Sequence, residues 1–402
     1  MPPDAGREVF VMINRRSWLR RGMGLTLHAA IAAPESPSTP GLSSAGGTLF
    51  HAGKPFRGIG VNWYELFLRG LRVPEHSVLK PAFHRLVDAG IPCARFNAGG
   101  FWPNDWSIYQ SDRPRWFGTL DTVIENAERA GLGLIPSLFW HYPAIPDLMA
   151  EPIDQFGMPS SRTCQFLREY TRTMVERYRA SNAIWGWELG NEWALGADLP
   201  NASEARPAIL PHLGTPSQRT KRDEFSSSAM LHAMKLVAST IREHDPHRIL
   251  ITGQALPRPS AWHNRHHRSW EPDSQEQWLD VLRADNPHPY DTLCAHLYPQ
   301  DQSMSPPWAA TTDRLVEVLK KESLRLNRTL VIGEFGVPRG VDRPVAAFDE
   351  ILDAMERHQV PLALLWVYDL PSQDRDWNVS LDDDRAWQLE RILKYNQKTR
   401  AI

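Results

Sequence analysis

One pattern recurs from Thr48 onward and limits the folds open to this chain. A short apolar run ends in polar or aromatic residues, a loop follows, and then apolar residues return every three to four positions. Eight such runs can be read: RGIGVN (57–62), IPCARFN (91–97), LGLIPSLFW (132–140), IWGWELGNE (184–192), RILITGQ (248–254), LCAHLYP (293–299), LVIGEFG (330–336) and LALLWVYD (362–369). The runs have the length of buried strands, and the intervening spacing is that of amphipathic helices. Three helical stripes are clear: Leu120, Val123, Ile124 and Ala127 before a stop at Gly131; Leu167, Tyr170, Met174 and Tyr178; and Met230, Met234, Val237 and Ile241. Strand and helix in alternation predict a parallel sheet covered by helices. Eight units favour closure into an α/β fold of the (β/α)8 TIM-barrel type, and 402 residues suit one such barrel with insertions. A doubly wound open sheet is the alternative, but no Gly-rich phosphate turn follows the first run. Long loops are expected after strands four and five, at about 194–222 and 255–273. The stretch TLFHAGKPFRG (48–58) reads as a hairpin around Gly53 and Lys54 that would plug the barrel floor.

The first 33 residues read as an address. Arg15 and Arg16 precede Trp18, Leu19 and Arg20, then a weakly apolar run ends in Ala30-Ile31-Ala32. This resembles a twin-arginine export signal with a small-x-small cleavage site, and it implies a periplasmic or secreted protein. The apolar run is too short to span a bilayer. A basic helix on a cytosolic protein is the competing reading, and Met12 offers an alternative start. Residues 34–47, rich in Pro, Ser and Gly, are expected to be a linker, and 48–402 the barrel domain. The formal charge of −2 carries no basic stripe or acidic tail, so neither nucleic acid nor membrane is an expected partner, and a monomer is expected. Cys93, Cys164 and Cys294 match no zinc or redox spacing and read as buried free thiols. The 16 Trp residues are more telling, because an exposed indole suits the flat apolar face of a sugar ring.

Polar residues collect at the C-terminal ends of the runs: Asn62, Arg95, His141, Asn191, Glu192, His296, Tyr298, Glu334 and Trp366. A closed parallel barrel puts its active site there. Glu192 ends the fourth run and Glu334 the seventh, so the two face each other across the mouth. Glycoside cleavage with retention needs two carboxyl groups about 5–5.5 Å apart, one to attack and one to shuttle a proton. Strand periodicity lets His296 and Tyr298 face the axis together, and Ile332 with Glu334, and Leu364 with Trp366. It also groups Glu188 with Glu192 and turns Asn191 away, so both Asn191 and Glu192 enter the site only if the strand bulges or twists. The run WHNRHHRSW (262–270) lacks a helix-spaced His pair with a companion carboxylate, and reads as a solvated basic loop. No metal or cofactor is expected.

The stretch WGWELGNEW (185–193) resembles the Asn-Glu acid/base signature of glycoside hydrolase clan A. VIGEFG (331–336) and LLWVYD (364–369) resemble the nucleophile strand and final aromatic strand of family 5. GVNWYELF (60–67), ARFN (94–97) and CAHLYP (294–299) are similar to its first, second and sixth strands. The resemblance implies a retaining β-glycosidase with Glu334 as nucleophile and Glu192 as acid/base. Arg95 and Tyr298 would favour the charged form of Glu334, and aromatic surroundings the protonated form of Glu192. Asn191 would bond the sugar 2-hydroxyl, His141 and His296 would position hydroxyls, Trp366 would floor the subsite, and Asn62 would support it. Glu188 would lie deeper, as a partner rather than a catalyst.

Where many family members carry Pro after the acid/base, this chain has Trp193, which is expected to offer a sugar platform beyond the cleavage point. Trp102 and Trp106, in GGFWPNDW (99–106), are expected to serve the opposite side. WELGNE and AHLYP look most like mannanase strands, so β-1,4-mannan is the leading substrate and cellulose-type β-glucan the second. Exo action follows if the 194–222 loop closes one end of the cleft. A carbohydrate-binding barrel without turnover is a further reading, against which both glutamates argue. A metal-dependent barrel hydrolase is the third.

Overall fold

The computed structural model describes residues 40–73, 80–299, 301 and 303–400. The expected export signal and residues 34–39 of the expected linker lie outside the described residues. Among the described residues there are eleven strands: β1 (Leu42–Ala45), β2 (Thr48–His51), β3 (Lys54–Phe56), β4 (Gly58–Asn62), β5 (Cys93–Asn97), β6 (Gly133–Phe139), β7 (Gly186–Gly190), β8 (Ile249–Ile251), β9 (Thr292–Leu297), β10 (Thr329–Phe335) and β11 (Leu362–Leu365). The last eight form one parallel sheet in the order β8-β7-β6-β5-β4-β11-β10-β9, and they coincide with the eight apolar runs. The sheet curls into a nearly closed barrel with helices between its strands. Side chains stitch the seam between β8 and β9. Thr292 donates to the Leu250 carbonyl at 2.7 Å, Asp291 accepts from the Leu250 N–H at 2.7 Å, and Asn286 accepts from Thr252 at 2.7 Å and from the Cys294 N–H at 2.9 Å. These bonds satisfy edge groups that a ladder would otherwise pair.

The three helices read from the sequence are present and capped. Arg113–Ala130 starts at Asp112, whose side chain accepts from the Arg115 N–H, and stops at Gly131 with φ +73°. That left-handed conformation suits a residue without Cβ. Arg162–Tyr178 and Ser227–His244 start at Ser161 and Ser226 caps, and each buries its expected stripe.

The hairpin β2–β3 gains an antiparallel neighbour, β1, and the three strands close the barrel floor. Leu42, Leu49 and Phe56 pack with Ile135, Trp185, Ile249 and Leu362, and the Leu42 N–H donates to the Trp185 carbonyl at 2.7 Å. The expected linker 34–47 is therefore wrong in its last part, since Leu42–Ala45 is a strand with one buried apolar anchor. The loop after β7 runs to Ser226 through short 3-10 turns. The expected basic loop after β8 instead holds a helix, Ala261–His267. Asp273 accepts from the N–H groups of Trp262 and His263 at 2.8 and 3.1 Å, and lies 2.8 Å from His263 Nδ1. A carboxylate at a helix N-terminus offsets the unpaired donors there. All three cysteines are free and buried. No described helix is long and apolar enough to cross a membrane.

Candidate active site

Arg95, fully buried at the end of β5, organises the barrel mouth. Its Nε lies 2.8 Å from both oxygens of Glu188, its Nη1 donates to Asn62 Oδ1 at 2.8 Å and to Glu334 Oε1 at 2.7 Å, and its Nη2 donates to Asn191 Oδ1 at 2.8 Å. One guanidinium thus joins four strands. Burial works against its charge, and Glu188 and Glu334 more than offset that. Its face lies 4.3 Å from the centre of the Trp140 ring. Asn62 points its amide at the carbonyls of Gly333, Leu364 and Leu365 at 3.0–3.3 Å. Burial pushes the Glu188 carboxyl up, against the pull of Arg95.

Glu334, 5% exposed, uses its second oxygen to accept from Tyr298 Oη at 2.7 Å. Glu192 is 28% exposed, and its Oε1 lies 2.7 Å from His296 Nδ1. Burial raises the Glu192 carboxyl above its ordinary value, with Arg95 opposing in part. Burial also lowers His296 to about 4, so its ring is neutral at physiological pH. Gly333 makes room for that ring, because a Cβ there would come within 2.8 Å of His296 Nε2.

The register conflict at Asn191 and Glu192 is resolved by one residue. β7 ends at Gly190, and Glu192 adopts φ +52° and ψ +31°. That left-handed turn brings Glu192 into the site beside Asn191, whose side chain is on Arg95. Oxygens of Glu192 and Glu334 and a nitrogen of His296 all lie within 4.8 Å of one another. Among the described residues this is the one trio spaced to hold a metal ion. Arg95 and Tyr298 already occupy both Glu334 oxygens, so a second cation would sit against the guanidinium. The arrangement suits proton transfer and nucleophilic carboxylate chemistry better than coordination.

A cleft of about 440 Å³ opens over the pair, lined by Tyr64, Trp140, Asn191, Glu192, Tyr298, Glu334, Trp366, Leu370, Ser372, Gln373 and Trp377. Trp366 and Trp140 stack at 6.0 Å, and Trp377 meets Tyr298 edge-on at 5.0 Å. The Trp366 indole donates to Gln373 Oε1 at 3.0 Å. Asn191, Glu192, Tyr298, Glu334 and Trp366 thus line the cleft as expected from the sequence. Asn62, Arg95 and His296 sit beneath it as buried supports.

Two of the expected residues lie outside the cleft lining, and two more are buried in the core. His141 is exposed, packs against Phe101 at 5.2 Å and does not line the cleft. Trp102 bonds the Gly214 carbonyl at 3.1 Å, outside the cleft lining. Trp106 is fully buried in the helix Asn104–Ser111, stacked on Trp116 at 5.0 Å and ringed by Tyr109, Phe166 and Tyr170. Trp193 is 1% exposed, and its indole donates to the Phe139 carbonyl at 2.9 Å in space that a Gly190 side chain would fill. The sequence reading overlooked Tyr64, Trp140, Gln373 and Trp377. Trp140 and Tyr64 were visible as aromatics one or two residues past strand ends, but Gln373 and Trp377 carry no local signal.

A barrel mouth that sets two carboxylates within 4.8 Å of each other beside a wall of indoles suits sugar-bond cleavage, and the protein is a glycoside hydrolase. It belongs to glycosyl hydrolase family 5, with residues 52–369 matching the family described as Cellulase (glycosyl hydrolase family 5). No curated protein matches the sequence. Among solved structures it is similar to an endo-1,4-β-mannanase from Rhizomucor miehei, with TM-score 0.63, 16% identity, and 89% of this chain and 99% of that one covered. It is similar also to an endo-1,4-β-D-mannanase from Thermotoga petrophila, with TM-score 0.58, 16% identity, and 85% and 100% covered. An exo-β-1,4-mannosidase from an Opitutaceae bacterium gives 0.59 and 17%, with 90% and 62% covered.

Proposed function

We propose that the protein is a retaining β-glycosidase in which Glu334 is the nucleophile and Glu192 the acid/base. The observation that carries this reading is the unequal treatment of two neighbouring carboxyls. Glu334 accepts from a guanidinium and a phenol, which hold both its oxygens in place. Burial favours the protonated form of Glu192. A Glu334 oxygen attacks the anomeric carbon while Glu192 gives its proton to the departing oxygen, so one C–O bond forms as the other breaks. The Glu192 carboxylate then takes a proton from water, whose oxygen displaces Glu334 and restores the starting configuration. Asn191, held by Arg95, is positioned to bond a sugar hydroxyl. Trp366 supplies the stacking face. An indole N–H only donates, so Gln373 turns its oxygen to Trp366 and leaves its amide nitrogen for a hydroxyl.

The favoured substrate is β-1,4-linked mannan or its oligosaccharides. Its support is the likeness of WELGNE and AHLYP to mannanase strands, beside the structural likeness to two endo-1,4-β-mannanases. The description of the matching family favours β-1,4-glucan as the second reading. The Arg15-Arg16 pattern supports export, which cell fractionation with and without both arginines would test. Glu334→Gln keeps the side-chain shape and removes the nucleophile. Turnover on mannan and glucan oligosaccharides should fall by several orders of magnitude while binding persists. Unchanged turnover would remove the assignment.

A further inference from the structure

The turn that carries Glu192 is held from outside the strand that bears it. A non-glycine residue at φ +52° is strained and persists only where its surroundings over-determine it. Those surroundings come from the segment after β8. The Glu192 N–H donates to the Gly253 carbonyl at 2.8 Å. Two residues on, the Ala194 N–H donates to Gln254 Oε1 at 2.9 Å. Gln254 is 1% exposed, and its amide nitrogen lies over the sulfurs of Met230 and Met234 at 3.6 and 3.7 Å. Arg258 then covers the far side of the turn. It donates to the carbonyls of Ala194, Leu195 and Ala197 at 3.2, 2.7 and 2.8 Å, and Asn264 accepts its Nε at 2.9 Å. Among the described residues no ion pair to Arg258 is present: burial works against its charge, Asp285, Asp198 and Asp273 favour it without touching it, and its hydrogen bonds go to neutral oxygens. Burying a guanidinium is costly unless it is hydrogen-bonded, and here the bonds go to the turn that follows Glu192.

We propose that Gln254 and Arg258 are positioning residues that aim Glu192 at the scissile oxygen, with the post-β8 segment serving as a cradle for the acid/base turn. This rests on the reading of Glu192 as acid/base and adds the residues through which its aim is set. Loss of the cradle lets the left-handed turn relax toward ordinary backbone and draws the carboxyl away from the cleft. A displacement near 1 Å costs roughly a hundredfold in the step it serves.

The test compares Arg258→Met, Arg258→Lys and Gln254→Leu with Glu192→Ala on two substrates. An oligosaccharide needs its leaving group protonated. A 2,4-dinitrophenyl glycoside does not, and its glycosyl–Glu334 ester can be released by azide attack at the anomeric carbon, giving a glycosyl azide and the free carboxylate. The expected result for Arg258→Met is a loss of roughly a hundredfold in kcat on the oligosaccharide with KM within about twofold. The dinitrophenyl substrate should show a loss relieved by azide, as for Glu192→Ala. Arg258→Lys should fall between, and Gln254→Leu, which keeps the guanidinium, should repeat the pattern if Arg258→Met does not fold. Equal losses on both substrates without azide rescue, or no loss, would overturn the proposal. If Glu192→Ala itself lacks the azide signature, the acid/base assignment fails first, and the two failures are distinguishable.

Discussion

Arg95→Met removes the hub of the site while nearly keeping its volume, and the structure sets what should follow. Both Arg95 and Glu188 are fully buried, with Nε 2.8 Å from each Glu188 oxygen. Removing one partner of a buried ion pair costs about 3–5 kcal/mol, because the other charge stays buried alone. Glu334 also loses its Arg95 bond, although it keeps Tyr298. A loss of that size is a large part of the roughly 5–15 kcal/mol that holds a domain folded. The loss should also depend on pH. Burial already raises the Glu188 carboxyl, and Arg95 is the main force opposing it. Without Arg95 the folded value rises further above the unfolded one, so folding takes up a proton. Stability of Arg95→Met is then best below the unfolded carboxyl value and declines as pH rises through the raised folded value. Urea denaturation followed by tryptophan fluorescence from pH 4.5 to 8 measures this. Adding Glu188→Gln should recover about 2 kcal/mol or more at pH 8 and little at pH 4.5. A cost for Arg95→Met below about 1 kcal/mol, or one that Glu188→Gln does not relieve, would refute the hub reading.

The remaining predictions concern the aromatics, the pH profile and metal dependence. Trp106→Ala should destabilise by about 3–5 kcal/mol in urea melts with KM unchanged, whereas Trp366→Ala should lower kcat/KM at least tenfold with little change in stability. Glu192 must be protonated to donate, and burial raises its carboxyl, so kcat/KM on oligosaccharides should fall as pH rises through that raised value. The falling limb should flatten for a dinitrophenyl glycoside, and a profile identical for both substrates would remove Glu192 as the acid. Prolonged dialysis against EDTA should leave activity intact, because Glu334 already has its two partners in Arg95 and Tyr298.

Much of this protein was legible without coordinates. Hydrophobic periodicity alone sets strand and helix, because burying one face or stripe is the largest local demand on the chain. Eight alternating units then leave a closed barrel as the economical way to bury a parallel sheet, and closure sends every strand end to one mouth. Asn62, Arg95, Glu192, Tyr298 and Glu334 could therefore be placed together from their positions in the runs. Local sequence is silent where direction is decided by distant neighbours. Trp106 sits three residues from Tyr109, a helical spacing that hinted at a core face, yet only the packing of Trp116, Phe166 and Tyr170 makes it interior. Trp193 turns inward because Gly190 leaves it a space and the Phe139 carbonyl needs a donor. Gln373 and Trp377 reach the cleft from a loop with no period to read. The left-handed turn at Glu192 is a tertiary decision as well. It depends on hydrogen bonds accepted by Gly253 and Gln254 and donated by Arg258, more than sixty residues away, and such long-range contacts exist only once the barrel has closed.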